Sequence, residues 1–141
     1  MKARQLNAND KKVLSALGRS VRPLSAYDIL DRARSDALKA PVQVYRALEK
    51  LASQGLVHRI EALNAFVACS DCSHAGHDHA KHTHDQSRHR PGFVICRDCG
   101  SVREFEDERV GKIAEQAAGK DFSVDLVALE VYGRCGGCQA A

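Results

Sequence analysis

The six cysteines of this 141-residue chain fall as three C-x-x-C pairs, Cys69/Cys72, Cys96/Cys99 and Cys135/Cys138, and this spacing limits the fold more than any other feature. A C-x-x-C turn puts two sulfurs on one side of a tight loop. Two such knuckles brought together form the tetrahedral four-thiolate set that zinc favours, because thiolate is soft and a d¹⁰ ion imposes no other geometry. A redox thiol couple would need a thioredoxin-like βαβ context, which the sequence does not display. The N-terminal MKARQLNAND lacks the apolar core of a signal peptide, and no apolar run approaches the ~20 residues of a membrane span. The expectation is a soluble, cytoplasmic protein whose thiols ligate metal rather than form structural disulfides. Three knuckles can pair in three ways. Cys96/Cys99 with Cys135/Cys138 is preferred, because each follows a predicted strand of one domain and has glycines beside it (Gly100, Gly136, Gly137) that permit tight turns.

A chain of this length makes one ordinary domain or two small ones, and two small ones need cross-links to supplement thin cores. The net charge of +3 is unevenly spread. Met1 to Ala68 carries twelve Lys/Arg against six Asp/Glu, whereas Cys69 to Ala141 carries nine against twelve. If a polyanion binds, it binds the first half.

The first third reads as three helices. Asn7 or Asn9 can cap a run with Val13, Leu14 and Leu17 at helical spacing, ended by Gly18. Ser25-Ala-Tyr-Asp28 has the form of a capping box, followed by Tyr27, Ile29, Leu30 and Ala33 as the apolar face. Pro41 suits the first turn of a third helix reaching Gln54, with Val44, Leu48 and Leu51 inward and Gly55 at its C-terminal cap. The period then changes to that of strands, Leu56–Glu61 and Ala65–Cys69, separated by Ala62-Leu63-Asn64. Three helices and a hairpin are the parts of a winged helix, whose third helix enters the major groove. A small α+β domain with no nucleic-acid role has the same parts.

From Ser70 to Arg90 the chain has five histidines between Cys72 and Gln86 and no large apolar residue, so it reads as a linker or loop. Beyond it, Phe93–Ile95 is a predicted strand leading into Cys96–Gly100, and Val102–Phe105 its return. Asp107–Ala118 is a predicted helix with Val110, Ile113, Ala114 and Ala117 inward, and Phe122–Tyr132 a long strand ending at the last knuckle.

Taken in order, Ser25-Ala-Tyr-Asp-Ile-Leu-Asp31, Val44-Tyr-Arg-Ala-Leu48, Gln54-Gly-Leu-Val-His58, Phe93-Val-Ile-Cys-Arg-Asp-Cys-Gly100 and Cys135-Gly-Gly-Cys138 resemble the ferric uptake regulator family, and within it the zinc uptake regulator branch. The resemblance covers almost the whole chain after Leu6. It implies an α+β protein: a winged helix-turn-helix over residues 1–69, a His-rich linker over 70–91 and a small α/β dimerisation domain with a four-cysteine zinc site over 92–141. It further implies a homodimer, paired through a mixed β-sheet, that binds an AT-rich inverted repeat when zinc-loaded and represses zinc uptake genes. The branch's sensing site falls on His58, Cys69, His89 and Glu104, a set in which one thiolate and one carboxylate offset the charge of Zn²⁺ and two imidazoles complete four-coordination. That makes two zinc ions per protomer, with a third if Cys72, His74, His77, His79, His82 and His84 form an accessory site; these lie outside the family pattern and equally suit a loop that binds metal only incidentally.

Two departures matter. The dense His-His-Asp-His run of iron-type members is here His89-Arg90-Pro91-Gly92-Phe93, which favours zinc over iron. The Thr-Pro-Gln-Arg element of the family's first helix is here Asn7-Ala-Asn-Asp10, which puts a DNA contact from that helix in doubt. On the third helix the resemblance marks Tyr45 and Arg46. Arg46 offers a bidentate fork to guanine, Tyr45 suits a thymine methyl or a phosphate, and Gln43 suits adenine. Lys39, Lys50 and Arg59 belong near phosphates, where their contribution is salt-dependent and blind to sequence. The competing readings are a family member answering to another metal such as iron, a zinc-storage or metallochaperone protein using the His-rich segment, and a hydrolytic zinc enzyme. The last has no His-Glu-x-x-His motif, paired general base or open zinc site to support it.

Overall fold

The computed structural model describes residues 5–70 and 91–141. The chain divides between His84 and Asp85 into two compact units.

In the N-terminal unit, α1 (Ala8–Gly18), α2 (Ala26–Ala33) and α3 (Pro41–Ser53) precede a hairpin of β1 (Val57–Ile60) and β2 (Ala65–Ala68). Local chemistry sets most boundaries. Asn7 and Ser25 each cap a helix whose third residue, Asp10 or Asp28, bonds back to the cap, closing two capping boxes. Pro41 occupies the first turn of α3, and Gly55, at φ +70°, takes the left-handed conformation that lets the Leu56 N–H return to the Leu51 carbonyl at 3.0 Å. Val13, Leu17, Ile29, Leu30, Leu38, Val44, Leu48, Leu51, Val57 and Phe66 pack into one core. Tyr27 does not join it. The side chain expected on the apolar face of α2 is 64% exposed, because the buried stripe runs through Ala26, Ile29 and Leu30 and Tyr27 falls beside it. Leu24, before α2, exchanges both backbone hydrogen bonds with Phe66 and adds a short third member to the hairpin.

The C-terminal unit is a mixed three-stranded sheet ordered β4-β3-β5, built from β3 (Pro91–Cys96), β4 (Val102–Glu106) and β5 (Leu129–Gly133). β3 runs antiparallel to β4 and parallel to β5. Helix α4 (Glu108–Ala118), capped by Asp107, leads from β4 toward β5, and the short α5 (Gly136–Gln139) closes the chain. Two expectations change here. The long strand from Phe122 to Tyr132 is a strand only from Leu129, and the intended inner face of α4 buries nothing: Ile113 is 64% exposed, and Val110, Ala114 and Ala117 are not buried either. The apolar pattern is present, but among the described residues no surface covers it. None of the described helices is long and apolar enough to cross a membrane.

Candidate functional site

The parallel pairing of β3 with β5 places Cys96 beside Gly133, so the knuckles after both strands leave the sheet at the same end. The first is closed by Gly100, at φ +72°, whose N–H donates to the Cys96 carbonyl at 2.9 Å. The second begins at Cys135, the N-cap of α5, whose N–H donates to Cys96 Sγ at 3.3 Å. The Sγ atoms of Cys96, Cys99, Cys135 and Cys138 all lie within 4.8 Å of one another, with Cys99 and Cys135 3.8 Å apart. Four sulfurs at the zinc–thiolate distance of about 2.3 Å on a tetrahedron are about 3.8 Å apart, so the donor set and its spacing fit zinc. An ion pair from Arg134 to Asp98 at 2.5 Å ties the knuckles together, and Arg97 lies 5.7 Å over the Tyr132 ring.

The protons of the tetrad are unequally held. Backbone N–H groups of Cys99 and then Cys135 aimed at the sulfur bring Cys96 down to about 6, and the Ser101 hydroxyl, 3.2 Å from Cys99 Sγ, lowers Cys99. Hydrogen bonding with Cys135 and then Cys96 pushes Cys138 up to about 12, since it is the thiol that donates to its neighbours. A divalent ion bound by the four sulfurs therefore competes with the protons the cluster holds.

In the N-terminal unit, half-buried His58 on β1 and buried Cys69, one residue beyond β2, bring their ligand atoms within 4.8 Å of each other. The ladder runs on past the strands, with the Cys69 N–H donating to the Leu56 carbonyl at 2.9 Å, and this fixes the cysteine's place. Glu104 lies on β4 opposite Phe93 and is half-buried. His89, Cys72, His74, His77, His79, His82 and His84 lie outside the described residues.

On α3, Val44, Ala47, Leu48 and Leu51 are buried, which turns Tyr45 and Arg46 outward beside Val42. Three of the other residues expected at DNA already have partners. Gln43 Oε1 accepts the Lys39 and Ala40 N–H groups at 2.8 and 3.0 Å, and its Nε2 donates to the Ala37 carbonyl at 3.1 Å; one amide hydrogen is left for any base. Lys50 donates to Asp10, a carboxylate only 2% exposed, at 2.5 Å. Arg59 bonds Asn64 Oδ1 in the hairpin turn at 2.9 Å and pairs with Glu61 at 3.5 Å. The Lys39 ammonium is exposed and lies 3.9 Å from Asp36. Sequence reasoning missed the Asp10–Lys50 pair and the exposure of Tyr27. The Asn7/Asp10 box was readable three residues apart, but a partner forty residues on was not.

The model of the ferric uptake regulator family matches residues 7–132. The zinc uptake regulation protein of Escherichia coli K12 is 37% identical over 117 residues, 82% of this chain and 61% of that protein, so the match spans less than two thirds of the relative. The holo crystal structure of XcZur is 36% identical with a TM-score of 0.78, covering 97% of this chain and 88% of the other. A zinc uptake regulator complexed with zinc and DNA is 33% identical with a TM-score of 0.79, covering 96% of this chain and 84% of the other.

Proposed function

Since the chain belongs to the ferric uptake regulator family, we propose that it is a zinc-responsive transcriptional repressor, which binds an AT-rich inverted repeat as a zinc-loaded homodimer in the cytoplasm and controls zinc uptake genes. The observation that carries this reading is the likeness, over 96% of the chain, to a zinc uptake regulator complexed with zinc and DNA. Residues 1–69 form the DNA-binding domain, 70–91 the linker and 92–141 the dimerisation domain. Cys96, Cys99, Cys135 and Cys138 hold a structural zinc ion, and His58, Cys69, His89 and Glu104 a regulatory one. Bound, the first supplies a cross-link between the knuckles, and the second a linkage between metal and DNA affinity. Support for the structural set is the spacing of its sulfurs; support for the regulatory set is the convergence of His58 and Cys69 and the mixed hard and soft donors the four supply.

The outward Tyr45 and Arg46 read bases, with the fork of Arg46 on guanine O6 and N7. Lys39 and Arg59 meet phosphate, Arg59 by exchanging its hairpin partners. Gln43 contributes through its remaining amide hydrogen. The exposed apolar side chains of Ile113, Phe122, Leu126 and Val131 support pairing of the C-terminal unit with a second copy, because so much unshielded apolar surface marks an interface.

The test is operator affinity at buffered free metal, with the demetallated regulatory site refilled in turn with zinc, iron or manganese. Zinc alone should confer tight, sequence-selective binding. Tight binding with iron alone makes the chain an iron regulator, and several bound zinc ions with no DNA affinity make it a storage protein. Cys69→Ser should abolish the response to zinc while leaving the four-thiolate ion in place, and a variant that responds like the parent removes Cys69 from the sensor.

A further inference from the structure

The first turn of α1, Asn7-Ala-Asn-Asp10, is where the chain leaves its family's pattern, and its side chains reach both ends of α3. Asp10 is the one charged side chain buried among the described residues. Its Oδ2 receives Lys50 Nζ from the last turn of α3 at 2.5 Å and the Asn7 N–H at 2.9 Å. Asn9 Nδ2 donates to the Ala37 carbonyl at 3.0 Å, and this same oxygen receives Gln43 Nε2 from the first turn of α3 at 3.1 Å. One turn of α1 thus holds the start of α3 through a shared carbonyl and its end through an ion pair.

An ion pair whose carboxylate is 2% exposed and whose lysine side chain is 38% exposed is a poor source of stability, since desolvating the carboxylate offsets much of the attraction, but it restricts the relative placement of the elements that carry it. The apolar stripe of α3 would pack against α1 through a range of small rotations and slides. A carboxylate shielded from water narrows that range, because any shift that separates it from Lys50 leaves a buried charge unpaired. Lys50 in turn commits one N–H to the pair, which holds its ammonium toward Asp10.

We propose that Asp10 and Lys50, with the Asn9–Ala37–Gln43 contacts, are positioning residues that set α3 against α1 and so fix where Tyr45 and Arg46 meet the bases. This rests on the DNA-binding reading above. Base readout is lost when a contact shifts by a fraction of an ångström, whereas backbone contacts tolerate such shifts, so the device acts on sequence preference rather than on affinity for DNA in general.

The experiment uses the full zinc-loaded chain, a duplex selected by the parent from a random-sequence pool, and an unrelated duplex of equal length. Asp10→Asn and Lys50→Met should each lower the preference for the selected duplex about tenfold, the loss expected for a displaced base contact. The double variant should lose no more than either single one, because the two act as one device. Lys50→Arg should restore the preference. Affinity for the unrelated duplex and its salt dependence should not change. If instead Lys50→Met weakens both duplexes and lowers the salt slope by about one, while Asp10→Asn strengthens binding, Lys50 is a phosphate contact and the proposal fails. It also fails if the variants melt at lower temperature yet keep the parent's preference. Should Asp10→Asn not fold, the Lys50→Met and Lys50→Arg pair, which leaves Asp10 in place, decides. Failure of the DNA reading appears in the parent itself, as a pool from which zinc-loaded protein selects nothing, and sinks both.

Discussion

Val13, Ile29, Leu38, Val44 and Leu51 of the N-terminal unit are all 0% exposed, whereas the described C-terminal unit buries only Gly92, Phe93, Ile95 and Cys96 and leaves Ile113, Phe122, Leu126 and Val131 facing solvent. The C-terminal unit, residues 85–141, is smaller than the N-terminal one, residues 1–84, but both carry similarly spaced apolar residues, so hydrophobic patterning alone does not predict which of them closes its own core. Three helices can enclose a common interior within one chain. A three-stranded sheet with one helix leading away from it cannot, and a unit that small needs a metal or a second copy to supplement its burial. The four thiolates lie where β3 and β5 end, and would cross-link β3, the strand that carries the buried residues, to its parallel neighbour.

This contrast breaks most severely if the tetrad is dispensable. Cys138→Ser, or removal of all metal, should unfold the C-terminal unit outright, since apparent zinc binding free energies of about 10–16 kcal/mol in small four-ligand domains exceed what so thin a core supplies. Amide spectra should lose the dispersed signals of residues 91–141 and keep those of 5–70. Retention of both sets would show that the C-terminal core suffices. The next effect belongs to the other unit: Leu51→Ala should cost about 2–5 kcal/mol and lower its melting temperature while the zinc content of the tetrad stays at the parent's level. A fall in zinc content would mean the two units do not fold independently.

A smaller effect sharpens the account of the C-terminal sheet. Gly92 lies opposite Phe105, and a Cβ at this position would lie 2.3 Å from Phe105 Cζ, so Gly92→Ala must push the ring off the sheet. Overpacking of this kind costs about 1–3 kcal/mol, and in metal-loaded protein it should appear as a lower melting temperature with unchanged zinc. No loss of stability would mean that the ring moves freely and covers little.

The smallest effect is a pH dependence. Hydrogen bonds from the Ser25 side chain and then the Ser25 N–H hold the Asp28 carboxyl below the usual carboxylate range. A depressed folded-state pKa contributes stability above the unfolded value and loses it as pH falls through the folded one. The melting temperature of the N-terminal unit should therefore exceed that of Asp28→Asn at neutral pH, with the gap closing on acidification. A gap that does not vary with pH would assign the difference to packing rather than charge. The C-terminal unit should respond to acid differently, through loss of metal, because protons compete for its sulfurs.

Much of the N-terminal unit was legible because its determinants are local. Asn7, Ser25, Pro41 and Gly55 each act within a few residues, and the spacing of Val44, Leu48 and Leu51 declares a helix face without reference to the rest of the chain. Tyr27 was misplaced because one aromatic beside a capping box is compatible with either face. Asp10 was unreadable as a buried group, since a carboxylate is exposed by default and only a lysine forty residues away reverses that. In the C-terminal unit the cysteines were legible as ligands. Phe122–Ala128 was misread as strand because alternating apolar residues report that a surface is to be covered, not whether the same chain covers it.

Helix starts and stops, the change of period at Gly55, the glycine-bearing knuckles and the residue types able to bind metal are written locally in the chain, because each acts over a few bonds. The pairing of the knuckles, which the flanking strands and glycines favoured among three, was fixed by packing, through the parallel register that sets Cys96 beside Gly133, thirty-seven residues apart in the chain. Packing likewise decided that Lys50 answers to Asp10 and that α4 presents its apolar side to solvent. Contacts of that range depend on how whole elements pack, and no spacing within a single element encodes them.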